Sequence, residues 1–301
     1  MTDHEWLADR FEERRPQLRA VAYRILGTLS EADDAVQEAW LRLSRSDAAA
    51  IENLGGWLTT FVARVCLNML RARQSRPEEP FGLRMPDPVV SRADGVDPEQ
   101  ATLLADSVGL ALLVILQTLE PDERLAFVLH DMFAVPFDEI APIVGRTPVA
   151  ARQLASRARR RVQGAAPVPD RDLVRQRQVV DAFVTAVRSG NLEALLAVLH
   201  PDVVLHAEGG AAAAGETAAG GGAQEVRGAR AVAEGALRFT RVAGFARPAL
   251  VNGAAGVVAM GPGGQLISVA GITVVAGKIV QIDILSDPAR LRRLDVSLLE
   301  D

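Results

Sequence analysis

Residues 135–162 read VPFDEIAPIVGRTPVAARQLASRARRRV. Phe137, Ile140, Ala141 and Val144 recur at helical spacing, and Gly145 then supplies a tight turn. Thr147 is suited to cap the next helix, and Pro148 to occupy its first position. In that second helix Ala150, Leu154, Ala158 and Val162 are expected to face inward. Arg152, Ser156 and Arg159 share the outer side, with Gln153, Arg157 and Arg160 beside them and Arg146 just before the turn closes. The helix carries Arg152, Arg157, Arg159, Arg160 and Arg161 and no acid, in a chain of net charge −5. A short basic helix behind a glycine turn is what a protein lays in a DNA major groove. There Arg and Gln pair bidentately with base edges, and the remaining cations hold phosphates. A solvated basic face on an ordinary helix is the plainer reading; the agreement of spacing, turn residue and cap weighs against it.

The charge is unevenly spread. Residues 1–170 hold 20 Arg against 25 Asp and Glu, whereas residues 171–301 hold 13 basic and 13 acidic side chains. The cations of the first part cluster at 64–76 and 146–161, which suits local nucleic-acid contact better than coating a polyanion. Residues 3–75 read as helices, with Trp6, Phe11, Leu18, Ala22, Tyr23 and Leu26 apolar, Gly27 as a stop and Ser30 as the next N-cap. From Glu31 to Leu43 the apolar stripe is Val36, Ala39 or Trp40, and Leu43, with Asp33, Asp34, Gln37 and Glu38 opposite. That acidic side is poorly suited to DNA; it is either a solvated helix face or a match for a basic partner. After a polar loop at 46–56, a helix is expected from Trp57 to about Arg73, burying Leu58, Phe61, Val62, Val65 and Met69. Arg64, Asn68 and Arg71 line its second side, continued by Arg73 and Arg76. A phosphate-binding face with Trp57 stacked on an unpaired base, and a plain surface face with Trp57 in the core, satisfy these residues equally.

Pro77, Pro80, Pro86, Pro88 and Pro98 make residues 76–98 a linker of extended backbone. A second helical block follows, with an apolar helix at 101–119, a helix after Pro121 and the helix-turn-helix. Beyond a short linker at 164–169 the pattern changes. Residues 172–199 and 228–241 read as helical, 207–223 as a Gly/Ala-rich loop, and 203–206, 246–252, 255–260, 265–275 and 278–285 as strands. Helices followed by consecutive strands predict an α+β domain, a curved antiparallel sheet wrapped on helices.

Other chemistry is sparse. Cys66 stands alone, the N-terminus lacks an apolar signal core, and no apolar run is long enough to span a bilayer, so a cytoplasmic protein is expected. His4, His130, His200 and His206 show no metal-ligand spacing, and neither Gly221-Gly222 nor Gly263-Gly264 lies in a phosphate-binding motif, so no metal or cofactor is expected. His206, Glu208 and Asp283 can meet inside a cupped sheet as an acid–base group, although lone polar residues on strands are more often structural.

Three stretches together carry a family pattern: DDAVQEAWLRL (33–43), WLTTFVARVCLNMLRARQSR (57–76) and PFDEIAPIVGRTPVAARQLASRARRR (136–161). In order and separation they resemble bacterial sigma factors of the extracytoplasmic-function type, over residues 5–163. The resemblance implies a non-enzymatic promoter-specificity factor whose partners are core RNA polymerase and promoter DNA. It implies Asp33, Asp34, Gln37, Glu38 and Leu41 on the polymerase-facing helix. It implies Trp57, Arg64, Asn68, Arg71 and Arg73 at the −10 strand, and Arg146, Thr147, Arg152, Gln153, Ser156, Arg157 and Arg160 at the −35 duplex. Residues 172–291 resemble the SnoaL-like, NTF2-type cone-shaped extension of one sigma subgroup. That subgroup's linker and extension motifs are echoed by Met85-Pro86-Asp87-Pro88, Glu208-Gly209-Gly210-Ala211 and Asp287-Pro288-Ala289-Arg290-Leu291. Arg84 stands where a Trp is expected, and the Lys of the second motif is missing. The domains expected are region 2 (1–76), a Pro-rich linker (77–98), region 4 (99–163), a second linker (164–171) and the SnoaL-like domain (172–291) regulating in cis. An anti-sigma protein or a small ligand at the last domain are further candidate partners. A ligand-responsive DNA-binding regulator, or an isomerase or cyclase in the C-terminal domain, are the alternatives.

Overall fold

The structure is a computed structural model that describes residues 3–45, 51, 53–75, 85–92, 109–165, 167–209 and 224–294. Arg76, linker residues 76–84 and 93–98, the first half of the 101–119 stretch, and the Gly/Ala residues 210–223 lie outside the described residues. The chain divides into two compact units, one helical and one built on a sheet.

In the helical unit α1 (Asp3–Leu26) ends at Gly27, whose φ of +84° is the left-handed conformation that favours glycine. Helix α2 (Leu29–Leu43) follows at once. Its N-cap is Thr28 with extended backbone, not Ser30, and the Thr28 hydroxyl donates to Glu31. Helix α3 spans Leu54–Gln74. It starts before Trp57 because Asn53 Oδ1 accepts from the Gly56 N–H at 3.0 Å, and this cap outweighs the poor helix propensity of Gly55-Gly56. Buried Phe11, Leu18, Ala35, Leu43, Leu58 and Leu67 hold the three helices together.

Helix α4 (Leu110–Gln117), whose residues up to Val114 belong to the sheet unit, precedes α5 (Pro121–Phe127), which runs into a π-helical turn at Val128–Met132. Helices α6 (Phe137–Val144) and α7 (Pro148–Ala165) complete the unit. Two buried arginines join these helices to the first three. Arg24 of α1 lies 4.9 Å from the ring centroid of Phe133. Arg124 of α5 donates to Ile25 O at 3.1 Å, Gln117 Oε1 at 2.9 Å and Gln117 O at 2.8 Å. Burial, reinforced by the Arg73 charge, pushes the Arg124 guanidinium down to about 9, so it is still a cation near neutrality.

The sheet unit has seven strands in the order β1-β4-β5-β6-β7-β2-β3. They are β1 (Val90–Arg92), β2 (Leu199–Glu208), β3 (Gln224–Arg227), β4 (Ala246–Val251), β5 (Ala254–Met260), β6 (Leu266–Val275) and β7 (Lys278–Leu285). The sheet is mixed, because β2 and β7 pair in parallel where an antiparallel sheet was expected. Helices α8 (Leu173–Ser189), α9 (Leu192–Val198) and α10 (Ala229–Leu237) cover one face through Val180, Val187, Leu195 and Val232, against Ile272, Val274, Ile279 and Ile282. The other face packs Val90, Val251, Val258, Val269 and Leu285 with Met85, Leu110 and Leu291, the last from the short helix α12 (Pro288–Leu291) beyond the one-turn α11 (Thr240–Ala243). Two covered faces explain why β5 and β6 read as nearly unbroken apolar runs rather than as alternation.

Strand β1 corrects the reading of residues 85–92 as linker. Val90, Ser91 and Arg92 pair antiparallel with Val251, Leu250 and Ala249. Asn252 fastens the entry by accepting from Val89 N at 3.1 Å and donating its own N–H to Val89 O at 2.8 Å. The prolines do extend the backbone; the extended segment is then captured at a sheet edge.

Candidate nucleic-acid interface

Gly145 (φ +68°) turns the chain from α6 into α7, and Thr147 Oγ1 accepts from Ala150 N at 3.3 Å. The buried strip of α7 is Ala151, Leu154, Ala155, Ala158 and Val162; Ala150, expected inward, is half-buried. Arg146, Thr147, Arg152, Gln153, Arg157 and Arg160 are exposed, and Ser156 is half-exposed between them. The structure therefore gathers all seven predicted residues on one outer face.

It also sorts them by partner. Glu123, whose side chain is 7% exposed, takes Arg157 Nε at 2.8 Å and Arg161 Nη1 at 3.1 Å. Asp131 takes Arg159 Nε at 2.8 Å. Among the described residues, Arg146, Arg152 and Arg160 have no carboxylate within ion-pair distance. Arg152 is held by an aromatic stack. Its guanidinium carbon lies 5.3 Å from the Phe137 centroid, and Phe137 stacks on His130 at 3.9 Å. His130 Nδ1 donates to Val135 O at 3.1 Å, which fixes that ring's tautomer. Sequence reasoning missed Glu123 and Asp131: an acid at the head of a helix, such as Glu123, looks like an ordinary dipole partner, and Asp131 looks like part of a helix end.

On α3, Trp57, Phe61, Arg64, Asn68 and Arg71 fall four, seven, eleven and fourteen residues along from Trp57, so they form one strip. Trp57 is half-buried and stacks on Phe61 with centroids 5.6 Å apart. Arg64 and Asn68 are exposed without a polar partner among the described residues. Arg71 Nη2 bonds Asp122 Oδ1 at 2.7 Å, and Gln74 Nε2 bonds Glu120 Oε2 at 2.7 Å. Arg73 departs from the strip, about 200° round the helix from Arg71, and its Nη2 bonds Glu31 Oε1 at 2.6 Å. On α2, Asp33, Asp34, Gln37, Glu38 and Leu41 are all exposed. Asp33 pairs with Arg19 at 2.6 Å, and Leu41, 45% exposed, is an apolar contact point set among acids.

Sigma-70 region 2 matches residues 10–76, and Sigma-70, region 4 matches residues 109–162. The probable ECF RNA polymerase sigma factor SigI of Mycobacterium tuberculosis is 33% identical over 99% of both chains. The chain belongs to the ECF RNA polymerase sigma factors. The ECF sigma factor SigJ of the same organism is 45% identical over 64% of this chain; that match spans 62% of SigJ, under two thirds of its length. The crystal structure of SigJ superposes with a TM-score of 0.75 at 33% identity, covering 96% of this sigma factor and 99% of SigJ.

Beyond region 4, the three motif remnants of this sigma factor meet at one point. Arg290 Nη1 bonds Glu208 Oε1 at 2.6 Å, its Nη2 donates to Met85 O at 2.6 Å and to Asp87, and Glu208 Oε2 accepts from Met85 N at 2.5 Å. Asp287 Oδ1 caps α12 by accepting from Arg290 N at 2.8 Å, and Ser286 N donates to Glu208 O at 2.8 Å. Burial alone would lower the Arg290 pKa; the bonds and charges of Asp87 and Glu208 reverse this and raise it.

The expected acid–base group forms only in part. His206 Nδ1 bonds Asp283 Oδ1 at 2.8 Å, its Nε2 lies 3.5 Å from Glu225, and Gln281 Nε2 donates to Asp283 Oδ1 at 2.9 Å. Glu208 is absent from this group because Arg290 holds it. The group also lies on the sheet face turned away from α8, α9 and α10. Leu205, Ile282 and Ile284 point to the helices, so their neighbours His206 and Asp283 point the other way. No helix among the described residues is long and apolar enough to cross a membrane.

Proposed function

We propose that this sigma factor docks on core RNA polymerase through Asp34, Gln37, Glu38 and Leu41 of α2, with Asp33 supporting that face. The α3 strip holds the single-stranded −10 element, Trp57 and Phe61 offering a stacking platform and Arg64, Asn68 and Arg71 gripping the backbone. Helix α7 enters the −35 major groove. Arg152 and Gln153 read base edges there, Thr147, Ser156, Arg146 and Arg160 hold phosphates, and Arg157 acts mainly as a staple to α5. Arg73 serves region 2 through Glu31 rather than DNA. The observation that carries this reading is the cationic face of α7, exposed and, among the described residues, free of carboxylates at Arg146, Arg152 and Arg160. The sheet domain regulates in cis by holding residues 85–92, and the protein works where the polymerase is, in the cytoplasm.

The test is retention of core polymerase by the tagged full chain, followed by run-off transcription from the upstream region of its own gene. Retention with a transcript that disappears on Arg152→Ala supports the proposal. No retention, with or without residues 169–301, overturns it.

A further inference from the structure

Val149 is 63% exposed, whereas Ile140, Ile143, Val144, Leu154 and Val162, the other branched aliphatic residues of the helix-turn-helix, are buried. One exposed valine needs no explanation by itself. Its position supplies one. Val149 is the second residue of α7, and Arg152, Gln153, Ser156 and Arg160 follow it by three, four, seven and eleven residues, on the same strip. It therefore caps the N-terminal end of the base-capable face, the end of a recognition helix that reaches base edges. A valine side chain neither donates nor accepts a hydrogen bond. The one apolar group displayed in the major groove is the thymine C5-methyl.

We infer that Val149 is a specificity-determining residue that packs its methyl groups on the C5-methyl of one thymine in the −35 element. This rests on the major-groove reading of α7 given above. It makes the −35 code of this protein part polar, through Arg152 and Gln153, and part apolar. Losing one methyl contact is worth about three- to tenfold in preference at that base pair.

The experiment is selection from a promoter library randomised at −35, using core polymerase reconstituted with the full chain, wild type or variant. Wild type is expected to enrich thymine at one position. Val149→Ser should lower that preference about three- to tenfold and leave the other positions unchanged, and Val149→Thr, which keeps a methyl, should retain it. Replacing the selected thymine by deoxyuridine should weaken wild type by the same factor and leave Val149→Ser unaffected. Equal profiles for wild type and Val149→Ser, or tolerance of deoxyuridine by wild type, overturn the inference. So does a Val149→Ser defect that is uniform over all −35 sequences, which would mark a contact with polymerase instead. Absence of any −35 enrichment by wild type overturns this inference and the major-groove reading together.

Discussion

Arginines of one helix are not equivalent. Arg152 rests on the Phe137 ring with no carboxylate partner among the described residues, while Arg157 and Arg161 share Glu123. Arg152→Ala is expected to cost about 1–3 kcal/mol of promoter affinity, concentrated at one base pair. Arg157 is 52% exposed at its side chain, so its ion pair is worth at most about 1 kcal/mol, and Arg157→Ala should change promoter affinity far less than Arg152→Ala. Glu123→Gln gives the contrasting result: it releases two cations beside the groove. Titrating promoter binding against salt should then show a slope steeper by roughly 1 to 2 phosphate contacts. His206 supplies a pH prediction. Burial lowers its pKa, but Asp283 and Glu225 outweigh burial and hold it above the ordinary value of 6.5. The folded state thus binds the proton more tightly than the unfolded chain. Stability from this group is complete below pH 6.5 and is lost as pH rises through the raised folded value. Thermal unfolding of the full chain at pH 6 and pH 8 should show that loss, and His206→Gln should remove that part of the pH dependence.

At the scale of elements, α5 braces the strip of α3 proposed to meet the −10 strand. Asp122 occupies Arg71 and Glu120 occupies Gln74, so both must be released before a DNA strand runs along the whole strip. Arg71 and Asp122 are partly exposed, and such a pair contributes about 0.2–1 kcal/mol, which a phosphate easily displaces. Asp122→Asn should therefore leave the melting temperature within a few degrees of wild type and raise affinity for a single-stranded −10 oligonucleotide about two- to fivefold. No gain in affinity would mean that Arg71 does not meet that strand. These braces were illegible in the sequence, since an acid gives no sign of which distant arginine it will meet. What was legible is local chemistry: the Gly27 stop, the Gly145 turn with its Thr147 cap, the apolar runs of β4 to β6 and the alternation of β7. The α3 start was missed because Gly55-Gly56 reads as loop until the Asn53 cap is seen. Strand β1 was missed because three residues carry no periodicity of their own; only the edge of β4 makes them a strand.

At the scale of the whole molecule, the chain between the two sigma regions is not free. Residues 85–92 follow the region 2 match and precede the region 4 match, yet Val90–Arg92 form an edge strand of the C-terminal sheet. The proposed regulation in cis has its physical basis in this strand, which ties the segment between the two regions to the sheet. Truncation after residue 168 does two things at once: it removes the sheet and strips Met85, Val90 and Leu110 of their apolar cover. A truncated chain that behaves differently on a promoter could owe this to either effect. Arg290→Ala separates them, because it leaves the sheet in place. Its side chain is 9% exposed, and removing it takes the Arg290 cation from the partly buried Asp87 and Glu208, a loss approaching the roughly 3–5 kcal/mol of a broken buried pair. The cheapest relief for the protein is to let residues 85–88 detach and solvate those carboxylates. Hydrogen exchange at the backbone of residues 85–92 should accelerate in Arg290→Ala, while exchange in β5, β6 and β7 stays slow. If the extension regulates through this strap, run-off transcription by the Arg290→Ala holoenzyme should move in the same direction as that of the truncated chain. Faster exchange with unchanged transcription would show that the strap is structural and would remove it from the regulatory route.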